Sequence, residues 1–156
     1  MIKKIIFFVL IIFGLSNCGY SPIFLDAGSK NFSIIDLEIE GNEKINNIIE
    51  NKLKKYLNID DEKKYKLKIK TGYQKISAAK DTTGNVTNFK LTITLSLNFV
   101  DLSAKEASEM ETISFSESTV INKNQNNYEQ NTYEKFVIKN MSELLANKLI
   151  TYLSRN

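Results

Sequence analysis

The chain reads as an α+β domain: a two-layer sandwich whose four-stranded, mostly antiparallel sheet carries two helices on one face. Three observations predict it. Residues 65–73 and 89–99 alternate apolar and polar side chains with a period of two, the signature of half-buried strands. Residues 43–57 and 133–153 instead repeat apolar side chains at helical spacing. The resulting order, β-α-β-β-β-α, leaves a sheet with one apolar face and two amphipathic helices able to cover it.

The first strand follows Phe32, with Ile35, Leu37 and Ile39 alternating with Asp36, Glu38 and Glu40. Gly41-Asn42 breaks it, and Asn42 fits the N-cap of a helix with Glu43 in its first turn. Ile45, Ile48, Ile49, Leu53, Tyr56 and Leu57 mark one face of that helix over 43–57. In the strand from 64 to 73, Tyr65, Leu67, Ile69, Thr71 and Tyr73 face one way. Lys64, Lys66, Lys68 and Lys70 face the other; this row could meet a polyanion, but reads better as a solvated outer face whose like charges oppose aggregation. Residues 77–88, SAAKDTTGNVTN, form a polar loop turning around Thr83-Gly84-Asn85. Phe89, Leu91, Ile93, Leu95, Leu97 and Phe99 then define a long strand. After a polar turn over 101–108, the β-prone segment 109–121 carries Ile113 and Phe115 on one face and pairs back as a hairpin. The polar run 122–127, NKNQNN, can cap a final helix. The stripe of that helix is Tyr133, Phe136, Val137, Met141, Leu144, Leu145, Leu149, Tyr152 and Leu153.

Composition narrows the chemistry. The 156 residues include no His, no Trp, one Cys and one Arg, Arg155. A His/Cys zinc site and Ser-His or Cys-His nucleophilic catalysis are therefore excluded. Acids occur singly or in solvated runs such as Asp60-Asp61-Glu62, and Gly72 and Gly84 stand alone, so no Gly-rich phosphate loop is present. These absences favour a binding or structural protein over an enzyme, with no metal and no cofactor. Without a clustered Arg patch, nucleic acid is not an expected partner.

Residues 1–20, MIKKIIFFVLIIFGLSNCGY, have the layout of an export signal. Lys3 and Lys4 precede an apolar run from 5 to 13, followed by small residues. The run is about half the roughly 18 residues a membrane span needs. Leu15-Ser16-Asn17-Cys18 resembles the lipobox of bacterial lipoproteins, in which the signal is cut before a Cys that becomes lipidated. The chain divides accordingly into a signal peptide (1–17), a lipidated tether beginning at Cys18 (18–30) and one α/β domain (31–156). Removing the leader leaves 139 residues with 19 basic and 18 acidic side chains, a net charge of +1. Acyl chains contribute about 0.8 kcal/mol per buried methylene, so two or three would anchor the chain firmly. Gly19 after the Cys leans toward the outer membrane, because in enterobacterial lipoproteins an Asp there favours inner-membrane retention.

Cys18-Gly19-Tyr20-Ser21-Pro22-Ile23-Phe24 resembles the Cys-Gly-aromatic-x-Pro-Leu-Tyr opening of the LPS-assembly lipoprotein LptE family, in its alphaproteobacterial form. Residues 83–91, TGNVTNFKL, resemble the turn before that family's long third strand. Phe99-Val100-Asp101-Leu102 resembles the aromatic-x-Leu-Asp that often ends it, with the last two positions exchanged. Ser103-Ala104-Lys105-Glu106 departs from the family's Gly-rich turn. The resemblance implies an outer-membrane, periplasm-facing lipoprotein that plugs the LptD β-barrel, assists its assembly and contacts lipopolysaccharide. Basic residues near the sheet tip have that contact in the family; the nearest here are Lys75, Lys80 and Lys90. A second reading of the same residues is an envelope lipoprotein that serves another export complex or acts as an adhesin.

Overall fold

The computed structural model describes residues 32–103 and 109–155. The expected signal peptide, Cys18, the expected tether and residues 104–108 of the expected turn lie outside the described residues. The observed order is β1 (Ser33–Glu40), α1 (Glu43–Leu53), a 3-10 turn (Lys54–Tyr56), β2 (Lys64–Lys80), β3 (Val86–Asp101), β4 (Glu111–Asn122) and α2 (Asn127–Arg155). The four strands lie in the order β1-β2-β3-β4. β1 and β2 are parallel and joined through α1, while β2–β3 and β3–β4 are antiparallel. The α+β class and element order are those predicted.

The core lies between the sheet and the helices. Leu67, Ile69, Leu91, Ile93, Leu95 and Leu97 from the sheet meet Ile45, Ile49 and Leu53 of α1 and Leu145, Leu149 and Leu153 of α2, all buried. At the base of the sheet the rings of Tyr56, Phe32, Tyr65, Phe99, Tyr152 and Phe115 form one connected series, opening with a stacked Phe32–Tyr56 pair at 4.5 Å. Such ring pairs add to the stabilisation from area burial alone.

Asn42 is the N-cap of α1: its side chain accepts from the Ile45 amide at 3.3 Å. Its own amide donates to the Thr71 hydroxyl at 3.0 Å, which docks the helix start against β2. Asn126 caps α2, with its side-chain oxygen accepting from the amides of Tyr128 and Glu129.

Four sequence expectations require correction. Ile35 does not face the core: it is 39 % exposed, and Phe32 and Ile34 are buried in its place. The register with β2 shifts between Ile34 and Asp36, so one extra residue resets the alternation before Leu37 and Ile39. The first helix is α-helical only to Leu53 and ends in the 3-10 turn, which carries Tyr56 into the core. The loop expected over 77–88 is mostly strand: β2 runs to Lys80 and β3 starts at Val86. Backbone pairing continues there without apolar alternation to announce it, through register shifts around Ala79. Tyr133, Phe136 and Leu144 belong to the predicted stripe of α2 but are 50 %, 59 % and 46 % exposed. The apolar stripe is wider than the face the sheet covers.

Candidate functional site

The helix-free face of the sheet has two zones. On the β1 side, Asp36, Glu38 and Glu40 lie opposite Lys66, Lys68 and Lys70. The Lys68 ammonium reaches Glu38 at 3.2 Å and Glu40 at 3.1 Å. Hydrogen bonding to Lys68 holds the Glu40 carboxyl below its usual range, and the same contacts push Lys68 up. Three of the four lysines of the row seen in sequence are thus matched by an acidic row on the neighbouring strand, and Lys64 lies opposite Ser33.

Across β3 and β4, from Thr92 to Asn98, the face is uncharged and rich in hydroxyls. Thr92 lies opposite Ser118, Thr94 opposite Ser116, Ser96 opposite Ser114 and Asn98 opposite Thr112. Three of these pairs bond across the strands, at 3.0 Å (Thr92–Ser118), 3.2 Å (Ser96–Ser114) and 3.0 Å (Thr112–Asn98). Gly72 of β2 keeps this zone flat, because a Cβ there would lie 2.6 Å from the Thr94 hydroxyl. Each hydroxyl retains capacity for a further hydrogen bond, so the surface can meet another polar wall without burying a charge.

Beyond the end of β1, the β2–β3 hairpin projects as a tip. Its turn is organised by Asp81, whose side-chain oxygen accepts from the Thr83 amide at 2.9 Å, the Thr83 hydroxyl at 2.7 Å and the Asn85 amide at 2.9 Å. These bonds, that from the Thr83 hydroxyl foremost, hold the Asp81 carboxyl below its usual range.

The three lysines singled out in sequence do not form one cluster. Lys75 is on the helix side, with its ammonium 4.5 Å from the centre of the Phe89 ring and paired with Glu134 of α2 at 2.5 Å. The Tyr73 hydroxyl donates to the same carboxylate at 2.6 Å. Burial pushes Glu134 up, but bonds from Lys75 and Tyr73 outweigh it and leave the carboxyl below its usual range. Burial first, and Glu134 second, raise the Tyr73 phenol. Lys90 points to the opposite, helix-free face, in a row with Ile76 and Val120. Lys80 sits at the end of the hairpin opposite Val86. Lys123 joins this end of the molecule, its amide donating to the Thr87 carbonyl at 2.8 Å. Lys80, Lys90 and Lys123 are exposed and make no ion pair among the described residues.

Sequence reasoning missed Lys123 and Glu134. Lys123 reaches the tip only through the β3–β4 register. Glu134 meets Lys75 across 59 positions of chain, and no local pattern signals such a contact.

A cleft of about 690 Å³ opens between the start of α1 and α2, lined by Asn42, Ile45, Ile48, Tyr73, Glu134 and Ile138 among others. Among the described residues, no group of three or more His, Cys, Asp or Glu side chains is placed to hold a metal ion. No described helix is long and apolar enough to cross a membrane.

No protein-family model matches this chain, and no curated protein does. Solved structures match in fold. The rare lipoprotein B from Shewanella oneidensis superposes with a TM-score of 0.62 at 14 % identity, covering 79 % of this chain and 95 % of that one. A minor lipoprotein from Acinetobacter baumannii gives 0.54 at 12 % identity, covering 80 % and 92 %. A putative lipoprotein from Caulobacter crescentus gives 0.51 at 12 % identity, covering 83 % and 92 %. At these identities the likeness establishes a shared fold over nearly the whole length of each neighbour.

Proposed function

We propose that this chain is an outer-membrane lipoprotein of the LptE type, which seats inside an LptD-type β-barrel and contacts lipopolysaccharide at its hairpin tip. The observation that carries the reading is the uncharged hydroxyl face over β3 and β4. The lumen of an outer-membrane barrel is polar. A flat face of Ser, Thr and Asn side chains can exchange water for hydrogen bonds with such a wall at little desolvation cost. The lipobox-like Cys18, the family-like opening after it and a fold shared with lipoprotein structures support the same reading. The free lysines at the tip suit lipid A phosphates as point charges.

Purification of the natural chain from outer membranes tests both halves. The expected result is a tight one-to-one complex with a large β-barrel, and an intact mass starting at Cys18 with acyl chains added. A mature start elsewhere, or an unmodified Cys18, would rule out the lipoprotein. An acylated chain without a barrel leaves the coarser reading, an envelope lipoprotein of another complex.

At the tip, combined reversal of Lys80, Lys90 and Lys123 to Glu should weaken lipopolysaccharide binding by about ten- to a hundredfold, since exposed ion contacts contribute up to about 1 kcal/mol each. The remaining binding should depend less on salt. Barrel complex formation should survive, because the core and the hydroxyl face are untouched. Unchanged lipopolysaccharide affinity would exclude the tip as the contact. Loss of the barrel instead would assign these lysines to assembly. Lys75 is left out of the triple variant because reversing it would set two carboxylates together.

A further inference from the structure

The two outer edges of the sheet are built differently. β1 is 8 residues long, irregular between Ile34 and Asp36, and carries three acids. Part of its outer edge is occupied: Leu57 bridges to Ile34, and the Asn58 amide donates to the Ile34 carbonyl at 3.0 Å. Shortness, irregularity, charge and a covering loop are the devices by which sheets block edge-to-edge pairing. β4 shares only charge with β1, at Glu111 and Glu117, the second of which pairs with Lys148 of α2. Its 12 residues, ETISFSESTVIN, contain no Pro, Lys or Gly, and its ladder with β3 has no register shift. It is the last strand of the sheet, and among the described residues its outer row of amides and carbonyls has no strand beside it.

We infer that β4 is a self-association edge: two copies pair β4 to β4, antiparallel about a two-fold axis, and form one continuous eight-stranded sheet. The occupant is a second copy because β4 complements itself. A two-fold interface uses the same patch on both partners. With the axis at Ser116, Ser114 lies opposite Ser118 of the other copy, Thr112 opposite Val120, and Ile113 opposite Thr119. No like charges are directly opposed. Shifting the axis to Glu117 would face that carboxylate with itself, and shifting it to Ser114 would set Glu111 against Glu117. Directly opposed like charges destabilise a strand pair.

The helices agree with this pairing. α2 packs over both β3 and β4. Pairing at the β4 edge would separate the two α2 axes by about two strand spacings, roughly 10 Å. That is the distance at which helices pack, about 8–10 Å. The flank of α2 toward this edge carries Tyr133, beside the chain from Val120 to Gln125, and Leu144, beside Phe115 and Tyr152. At 100° per residue these two side chains point within about 20° of each other. Both are large, apolar and about half exposed. The dimer supplies the cover that the single chain lacks.

The test uses the full-length chain in mild detergent with no barrel present, so its outcome is separate from that of the barrel reading. Sedimentation at micromolar concentration should show a dimer. Ser116→Cys should cross-link efficiently between copies under oxidation, because axial Cβ atoms lie about 4.5–5.5 Å apart. Thr94→Cys, exposed on the same face but in an interior strand, should cross-link no more than the parent chain with Cys18. Ser116→Lys, which opposes two ammonium groups at the axis, should weaken the dimer about fivefold while leaving the circular dichroism spectrum unchanged. A monomer throughout, equal cross-linking at positions 94 and 116, or a dimer indifferent to Ser116→Lys would each overturn the inference.

Discussion

Replacing Leu95 or Leu145 by Ala should lower the free energy of unfolding by about 2–5 kcal/mol at either position. Both side chains are fully buried, Leu95 from the middle of the sheet and Leu145 from the facing side of α2. Truncation removes their transfer free energy and leaves a cavity the packed layers cannot fill. Leu144 provides the internal control. It precedes Leu145 in the same helix and in the same apolar stripe, yet is 46 % exposed. Leu144→Ala should change stability by no more than about 0.5 kcal/mol when measured at low protein concentration. Denaturant titration of the three variants decides the matter. Equal losses at 144 and 145 would mean that α2 is rotated from the orientation described. Losses below about 0.5 kcal/mol at both 95 and 145 would contradict the two-layer packing.

Gly41→Ala should cost about 2–4 kcal/mol, far more than the same change at Gly84. Both glycines have positive φ, +112° at Gly41 and +85° at Gly84. They differ in their surroundings. A Cβ at Gly41 would lie 2.1 Å from the Thr71 carbonyl oxygen and 2.8 Å from its hydroxyl, whereas one at Gly84 meets nothing within 4 Å. At Gly84 only backbone strain is added, about 1–2 kcal/mol. At Gly41 the strand-to-helix turn must also move away from β2, which pulls the Asn42 amide from the Thr71 hydroxyl. That hydroxyl is also bonded to Asn46 at 2.5 Å, so the start of α1 is loosened at two points. Equal unfolding midpoints for the two variants would show that the close approach to Thr71 does not constrain the turn.

The candidate site was less legible in the sequence than the fold. The four lysines of β2 were visible as one face, but the acids opposite three of them lie on β1 and meet them only after the parallel crossover through α1. The hydroxyl rows of β3 and β4 were visible as the polar half of each alternation. That they face each other pair by pair follows from the hairpin register. Lys75 and Lys90 read as neighbours of one loop, yet they leave the sheet on opposite faces because side chains alternate along each strand. Glu134, which captures Lys75, is placed by the docking of α2.

The sequence alone determined the order of elements, the apolar face of each long strand and the capping of both helices by Asn42 and Asn126 or its neighbours. These depend on periodicity and on hydrogen bonds within a few residues, which the chain specifies locally. Tertiary structure decided the rest. It moved Ile35 out of the core through the irregular pairing of β1 with β2. It extended β2 to Lys80, where backbone pairing rather than burial holds the strand. It also chose which part of the α2 stripe is covered, burying Leu145 and leaving Leu144 half exposed. Register, bulges and the azimuth of a helix on a sheet are set by contacts between segments distant in sequence. Their energies reside in pairs of residues, and local patterns record only one member of each pair.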